Sequence, residues 1–411
     1  MSRWLQSRDA VIRVAAAFVL MSPVACDDGN TPADPQEFAE LALDAAAIPE
    51  SPTNAYADSA DAAALGRTLF FDRRMSSDGT VACANCHDPT RGFSDPRQLS
   101  EGVQGLAGTR HAMPMTSAAL EPFLLWDGRA DTVWRQPLYA LENEREMNFT
   151  RTDVALFMAA SFRTEYEAVF GPMPDLTSVA PGVRATDASW QSLPAQTRDS
   201  VQRVFVNVGK ALEAYERLAV CKDTRFDQWT RGEIDLSADE LDGAAQFRRS
   251  GCDNCHSGPA FSDGKFHNLG LIRSSDPVID TGREGGLALL LVDDLNGAST
   301  YSDDPAAGAV RLAAAKLETG TVGSFRTASL RGVAQRPRFG HLGRETELEQ
   351  FIENTYRRGG RGRGDGDADI VGARDPILDR VNVDEGEAAA IATFLGTLDC
   401  APLPAELLAP D

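Results

Sequence analysis

The sequence is poor in positive charge and in long apolar runs. It contains 40 Lys and Arg against 61 Asp and Glu, for a formal net charge of −21. Because phosphate groups are bound by clustered Lys and Arg, this balance argues against nucleic acid and anionic membrane as partners. Beyond the first 25 residues, no apolar stretch approaches the ~18 residues that a membrane-spanning helix needs. The length of 411 residues fits roughly two to three domains.

The N-terminal segment has the pattern of a targeting signal. Three arginines accompany the short apolar run "VAAAFVLMSPVA", so residues 1–25 are predicted to be a signal peptide that sends the protein to the periplasm. Cys26 stands where a lipoprotein cysteine would, but Pro23 occupies a position that usually carries Leu. Lipid attachment to Cys26, with anchoring to the outer membrane, and simple cleavage nearby are therefore both compatible with the sequence. Residues 26–57 are predicted to be a tether and lead-in.

Export gives the seven cysteines a meaning, because exported proteins fold in an oxidising compartment. Four of them lie in two copies of one motif, "CANCH" at 83–87 and "CDNCH" at 252–256, and each copy is followed by Phe-Ser-Asp. Cys221 and Cys400 each follow the end of a predicted helix. A disulfide is the economical pairing of these two residues, and two free buried thiols are the alternative.

The repeated Cys-x-x-Cys-His motif is the attachment sequence of c-type haem. Two cysteines one turn apart bond to the porphyrin, and the adjacent histidine faces the iron. A zinc site needs further Cys or His, and the other histidines are only His111, His267 and His341. A disulfide oxidoreductase needs one motif and no histidine. The sequence therefore predicts two covalently bound haem c groups, held by Cys83, Cys86 and His87 and by Cys252, Cys255 and His256.

Helical periodicity dominates the remainder of the chain. Apolar residues recur at helical spacing in five segments: 57–71, 151–170, 201–220, 345–356 and 385–398. Strand-like alternation is scarce, and the stretch 272–323, rich in Gly, Asp and Pro, is predicted to form loops around the haems. We predict a mainly α fold with two c-type cytochrome-like haem domains, 58–195 and 196–411, and long connecting loops.

Four blocks of the sequence, in this order, carry a family resemblance: "LGRTLFFDRRMSSDGTVACANCHDPTRGFSD", "FLLWDGRADTVWRQPLYALENEREMN", "SGCDNCHSGPAFSDGKFHNLG" and "FRTASLRGVAQRPRFGHLG". Together they resemble the bacterial di-haem cytochrome c peroxidase and MauG superfamily over about residues 60–400. The resemblance implies an N-terminal haem domain that reacts with hydrogen peroxide and a C-terminal haem domain that transfers electrons.

The resemblance also implies roles for three residues of the Trp-Asp-Gly-Arg block. Trp126 would lie between the haems as an electron relay, since an indole is easily oxidised; an ordinary core Trp is the alternative. Gln136 and Glu146 would face the open side of the first haem, where a carboxylate can move a proton between the peroxide oxygens. The neighbouring Glu142 and Glu144 make a surface role for any one of these carboxylates an alternative, but the spacing from Trp126 favours Glu146.

Departures from the family pattern are informative at the first haem. Peroxidases often place a capping His seven residues before the Arg of an Arg-Asn-x-Pro block, and here that position is Val103. The resemblance then implies a first haem that is open without reductive activation, as in MauG. His111 replaces an Asn that helps to hold calcium, and Gln335 replaces a Thr, whereas Pro337 remains, so calcium is a weak expectation. His111 either approaches a haem or is a hydrogen-bonded core residue.

The second haem differs from that of the peroxidases. Peroxidases ligate it with a Met after the Pro-x-x-His-x-Gly turn, and this chain has no Met after Met173. MauG uses a Tyr just before Arg-Gly-Gly, and "NTYRRGG" offers Tyr356, one residue further from His341 than is usual. The resemblance thus implies that Tyr356 ligates the second iron, with a core or surface Tyr as the alternative. A phenolate is an anionic donor that would favour highly oxidised iron.

These features predict an exported di-haem oxidoreductase of the MauG-like (MbnH-like) branch. It would react with hydrogen peroxide and oxidise an aromatic residue of a secreted partner protein. A cytochrome c peroxidase fed by a small cytochrome or cupredoxin is the rival enzyme. A non-catalytic electron-transfer cytochrome is the rival of another class, and Gln136 and Glu146 argue against it. MauG has a Trp shortly before its second motif as an exit relay, whereas this chain has Phe247 there, so its exit route must differ.

Overall fold

The computed structural model describes residues 33–44, 48–316, 318–357 and 369–409. The predicted signal peptide and Cys26 lie outside the described residues, as do residues 358–368. None of the helices in the described part of the chain is long and apolar enough to cross a membrane.

Helices make up most of the regular structure, so the prediction of a mainly α fold is confirmed. In chain order they are α1 (Ala60–Phe71), α2 (Arg135–Glu142), α3 (Arg151–Ser161), α4 (Arg163–Phe170), α5 (Ala188–Ser192), α6 (Ala195–Leu218), α7 (Arg225–Thr230), α8 (Ala238–Arg249), α9 (Arg283–Val292), α10 (Pro305–Ala315), α11 (Leu348–Tyr356) and α12 (Glu385–Leu395). Each of the five segments with helical periodicity contains a helix. The segment 151–170 contains two, because Phe162 leaves helical backbone geometry (φ −135°, ψ 26°).

The helices build two hydrophobic cores. In the first core, α1, α2 and α3 pack against the long helix α6, and Gly66 lets α1 approach closely, since a Cβ there would lie 1.9 Å from the Ala211 carbonyl oxygen. The second core joins α7, α8, α11 and α12 around a cluster of Phe side chains. Cys83 packs against the first core and Cys252 against the second. The boundary between residues 195 and 196 stays a prediction; α6, which begins there, packs in the first core.

The prediction of loops over 272–323 is wrong for two stretches, which form α9 and α10. Their outer sides are apolar, so the sequence shows little polar-apolar alternation at helical spacing. Their glycines serve close packing: a Cβ at Gly286 would lie 2.3 Å from the Asp127 carbonyl oxygen. Next to this region β1 (Phe266–His267) pairs antiparallel with β2 (Phe325–Arg326).

Two further contacts tie distant parts of the chain together. Within the predicted lead-in, residues Pro35–Leu41 form a 3-10 helix whose Phe38 and Leu41 are buried in the second core. Cys221, just after α6, and Cys400, after α12, form a disulfide. The first contact holds the predicted lead-in against the second core. The disulfide joins the segments that follow α6 and α12.

Candidate haem sites

The two Cys-x-x-Cys-His motifs adopt the same backbone shape. Each begins with a single 3-10 turn, Cys83–Asn85 in the first and Cys252–Asn254 in the second. In each, the backbone N–H of the histidine donates to the carbonyl of the first cysteine. The distance is 2.9 Å from His87 to Cys83 and 2.9 Å from His256 to Cys252. In both motifs the two thiols are therefore about one helical turn apart.

The shared Phe-Ser-Asp suffix orients the histidines. Phe93 and Phe261 both adopt left-handed backbone geometry (φ 55° and 50°), which turns the chain back toward the motif. The Nδ1–H of His256 donates to the Phe261 carbonyl at 2.9 Å, and His87 makes a longer contact of 3.4 Å with the Phe93 carbonyl. Burial lowers the pKa of both imidazoles, which favours their neutral form. An imidazole held through Nδ1 keeps its Nε2 lone pair for a metal.

A large cavity lies beside the second motif. Its empty volume is about 1420 Å³, part of it open to solvent. Three polar groups at its wall have a buried nitrogen without a hydrogen-bond partner among the described residues: Nε2 of His111, Nε2 of His341 and Nε of Arg336. Burial lowers the pKa of Arg336 to about 10, and the charge of Arg326 adds to this. An apolar cavity with two thiols, an imidazole and unpaired cationic nitrogen fits a covalently attached porphyrin with acidic side groups.

Tyr356 lies at this cavity. Leu348, Ile352 and Tyr356 are one helical turn apart on α11 and all line its wall, as their spacing predicts. Burial raises the pKa of the Tyr356 phenol, and the charges of Cys252 and Cys255 raise it further. The phenol is therefore close to the second attachment site and would need a cation to become a phenolate.

Trp126 also lines the cavity, at the end toward the Trp-Asp-Gly-Arg turn. Its indole N–H donates to the His111 carbonyl at 2.8 Å, and its ring meets the His341 ring edge-on, with centroids 6.1 Å apart. His341 in turn stacks on Phe325 at 3.7 Å between centroids. The indole is thus held rigidly by a hydrogen bond and ring contacts next to the second haem site.

The residues considered for calcium are engaged elsewhere. The Nδ1–H of His111 donates to the Gln98 carbonyl at 3.2 Å. The Gln335 side chain bonds the Cys400 backbone in both directions, each at 3.1 Å. The His111 side chain carries no oxygen, and the Gln335 amide oxygen already accepts the Cys400 N–H, so neither offers calcium a free oxygen ligand; calcium stays an expectation.

Glu142, Glu144 and Glu146 have different surroundings in the structure. Glu142 accepts two hydrogen bonds from Arg151, each 2.9 Å long, and Glu144 is exposed and 3.5 Å from Arg184. Among the residues that the structure describes, Glu146 has no such ion pair; its carboxylate accepts one hydrogen bond, 2.6 Å long, from the Asn143 amide.

The charge of Glu146 affects the cysteines of the first motif. Burial raises the pKa of Glu146, against smaller opposing effects of Arg129 and Asn143, and this favours its protonated form. Burial raises the pKa of Cys83 to about 12 and of Cys86 to about 11, and the charge of Glu146 contributes to both. Of the three carboxylates, Glu146 is thus the one whose charge acts at both cysteines of the first haem motif.

Val103 contacts the turn that carries Glu146, and Gln136 lies on the helix that precedes this turn. Val103 is buried, and its N–H donates to the Glu146 carbonyl at 2.8 Å, so the position where a capping histidine would stand touches the Glu146 backbone. Gln136 is the second residue of α2, the helix that leads into the Glu146 turn, and is half-buried. The placement of Gln136 and Glu146 on the open side of the first haem stays a prediction.

Three groups at these sites were not anticipated. Arg129, the last residue of the Trp-Asp-Gly-Arg block, acts electrostatically on Glu146. His267 lies between Asp263 (3.0 Å) and Asp375 (2.6 Å) at the second cavity; burial opposes its charge, but its hydrogen bonds raise its pKa to about 11. Glu216 on α6 is buried near Cys83, and burial raises its pKa to about 8. Arg129 and His267 lie in two of the four sequence blocks that carry the family resemblance, so the resemblance could have identified them. Glu216 lies outside these blocks.

Comparison with known proteins gives one family. The family model described as di-haem cytochrome c peroxidase matches residues 60–235. The methylamine utilization protein MauG of Paracoccus denitrificans is 32% identical over 343 residues, covering 74% of this chain and 77% of MauG. Cytochrome-c peroxidase IdrP2 of Pseudomonas sp. (strain SCT) is 29% identical over 343 residues, covering 82% of this chain and 81% of the relative.

Solved structures show the same fold. A MauG-like protein associated with microbial copper homeostasis superposes with a TM-score of 0.64 at 24% identity, over 90% of this chain and 98% of that protein. The diheme peroxidase BthA of Burkholderia thailandensis gives a TM-score of 0.63 at 20% identity, over 92% of this chain and 93% of BthA. Each of these neighbours covers at least nine-tenths of this chain.

Proposed function

Because this chain belongs to the family of di-haem cytochrome c peroxidases and MauG, and is thus a peroxide-using oxidoreductase with two c-type haems, we propose that it oxidises an aromatic residue of a partner protein. The observation that carries this choice is Tyr356 at the wall of the second cavity, in a chain without any Met after Met173. A phenolate there would stabilise a more oxidised iron than a thioether would.

The bound haems would supply the redox chemistry, reduction of hydrogen peroxide and storage of its two oxidising equivalents. Glu146 would serve the first haem by accepting a proton from one peroxide oxygen and returning it to the other. Its burial keeps it able to do both, since a raised pKa lies nearer to neutral pH. Arg129 would stabilise its charged form, and Gln136 would help to position the oxidant.

Trp126 would carry oxidising equivalents between the two haems. Its N–H is fixed to the His111 carbonyl, and its ring contacts His341, so it keeps one orientation at the second haem site. The partner's electrons would then restore both haems.

A cytochrome c peroxidase that draws electrons from a small cytochrome or cupredoxin is the second candidate. Relatives named cytochrome-c peroxidase support it, for example IdrP2. It differs from the first candidate in the donor and in the ligand of the second haem. Under either function we propose an exported, periplasmic enzyme, with residues 1–25 as the signal peptide and either lipid attachment at Cys26 or simple cleavage nearby.

The proposed function predicts that hydrogen peroxide acts on the resting protein. Because Val103 stands where a capping histidine would, the as-isolated diferric protein should change its haem absorption as soon as peroxide is added. Stopped-flow spectroscopy measures this change. A response that appears only after one-electron reduction would show that the first haem is capped at rest and would favour the ordinary peroxidase.

Trp126→Phe should uncouple the two haems. Phenylalanine keeps the ring contact with His341 but is far harder to oxidise than indole, so oxidation by peroxide should remain at the first haem. Mössbauer and EPR spectra report the share of each iron. Trp190→Phe is the matched control, since Trp190 is a buried indole of the first core. Equal sharing of oxidation in Trp126→Phe would exclude Trp126 as the relay.

A further inference from the structure

The outer side of α9 and α10 is an exposed apolar surface. Among the described residues, six of the eight large hydrophobic side chains that are exposed lie between residues 278 and 310. We call Leu289 and Val292, which are about one turn apart on α9, and Val310 on α10 the α9–α10 face; Val292 is 79% exposed and Val310 73%. Single exposed apolar residues are ordinary, but a cluster of them marks an interaction surface.

The inner side of the same two helices is firmly packed. Leu290 of α9 and Leu312 of α10 share one buried cluster with Phe123. The helices therefore belong to one layer, and their exposed side chains lie on its outside. The face is thus a fixed surface of the fold.

This layer rests on the turn that carries Trp126. Arg283, at the start of α9, donates to the carbonyls of Asp127 (3.2 Å) and Gly128 (2.8 Å), and Gly286 touches the Asp127 backbone. An α-helix with its side chains is about 10 Å across. A protein bound to the outer side of α9 would therefore lie about one helix diameter from the turn that follows Trp126.

The charges around the α9–α10 face favour one class of binding partner. Residues 274–316 contain seven acidic residues, two arginines and one lysine, Lys316, which is exposed at the end of α10. Both arginines are turned inward, Arg283 to Glu318 and Arg311 to the Asp131 carbonyl, whereas Glu284 and Asp294 are exposed. A second copy of this chain, with its net charge of −21, and an anionic membrane would both be repelled. A basic protein would be attracted.

We propose that the α9–α10 face docks the protein that supplies electrons to this enzyme, and that this partner presents an apolar patch surrounded by Lys and Arg. The inference rests on the proposed function only in taking the partner to be the electron source. Docking there would bring the partner's oxidisable group to the side of the molecule nearest the inter-haem tryptophan.

The test uses the full holoprotein and, as probe, a small lysine-rich c-type cytochrome. Leu289→Gln/Val292→Gln removes the apolar contact without changing charge, and Gln is well tolerated in helices. Leu218→Gln is the matched control, an exposed leucine at the end of α6. Calorimetry with the resting protein measures binding without peroxide, so its result does not depend on the proposed chemistry.

We expect the double variant to bind the cytochrome at least about tenfold more weakly, as loss of a central interface anchor does. The control should bind normally, and both variants should react with peroxide at the wild-type rate. Unchanged affinity in the double variant, or no binding to the wild type, would overturn the proposal. So would a wild-type dimer, or binding to phosphatidylglycerol vesicles, that the double variant abolishes.

Discussion

Glu146→Gln should slow the reaction of the resting protein with hydrogen peroxide by ~10²-fold or more, the usual effect of removing a positioned acid–base group. Glutamine keeps the size and the hydrogen bond with Asn143 but cannot accept and return a proton. The rate of the first absorption change in stopped-flow experiments measures the effect. Haem content, measured from the pyridine haemochrome spectrum, should be unchanged.

Glu144→Gln is the matched control for this prediction. Glu144 lies in the same turn but is exposed and near Arg184, so its replacement should leave the rate within about twofold, as expected for a surface change of small energetic effect. A loss of less than threefold in Glu146→Gln would show that Glu146 has no role in proton transfer. A loss in both variants would point to the turn itself rather than to proton transfer.

Tyr356→Phe should change the ligation of the second haem and remove the shared oxidised state. The phenol lies at the cavity wall beside Cys252 and Cys255, and its pKa is raised by burial, so only the charge of a bound ferric ion would hold it as phenolate. Without the oxygen, the second haem should become five-coordinate or take up water. EPR and resonance Raman spectra report the ligand, and mass spectrometry should show both haems still attached.

Tyr166→Phe provides the control for loss of a buried phenol. Tyr166 lies in the first core, where its oxygen accepts a hydrogen bond from Asn207, and its replacement should cost about 1 kcal/mol of stability without altering either haem spectrum. Unchanged ligation spectra in Tyr356→Phe would remove the main support for oxidation of a partner protein. The peroxidase fed by a small electron carrier would then be the better function.

The attachment sites could be predicted from the sequence because their chemistry is local. Two cysteines and a histidine within one turn suffice to define a c-type haem site, and both motifs fold into the same short turn. The long helices could be predicted for a similar reason, since α6 and α12 each place apolar residues on one face at helical spacing.

α9 and α10 could not be predicted in this way. A helix that is apolar on its inner side and exposes Leu289 and Val292 on its outer side has no polar face to reveal its period. Its place in the fold depends on Gly286 fitting against the Asp127 backbone, a contact between residues far apart in the sequence.

The sequence by itself determined the cofactor class, the helical fold and the positions that a haem would occupy. Only the tertiary structure distinguishes the three carboxylates, because Glu142 and Glu144 pair with Arg151 and Arg184, whereas the Glu146 carboxylate is hydrogen-bonded to Asn143 and affected by the charge of Arg129. It also decided that the Phe-Ser-Asp suffix holds the histidines, through a left-handed Phe261 whose carbonyl meets His256. The reason is physical: a covalent motif needs only its neighbours in the chain, whereas burial, charge and orientation depend on groups that folding brings together.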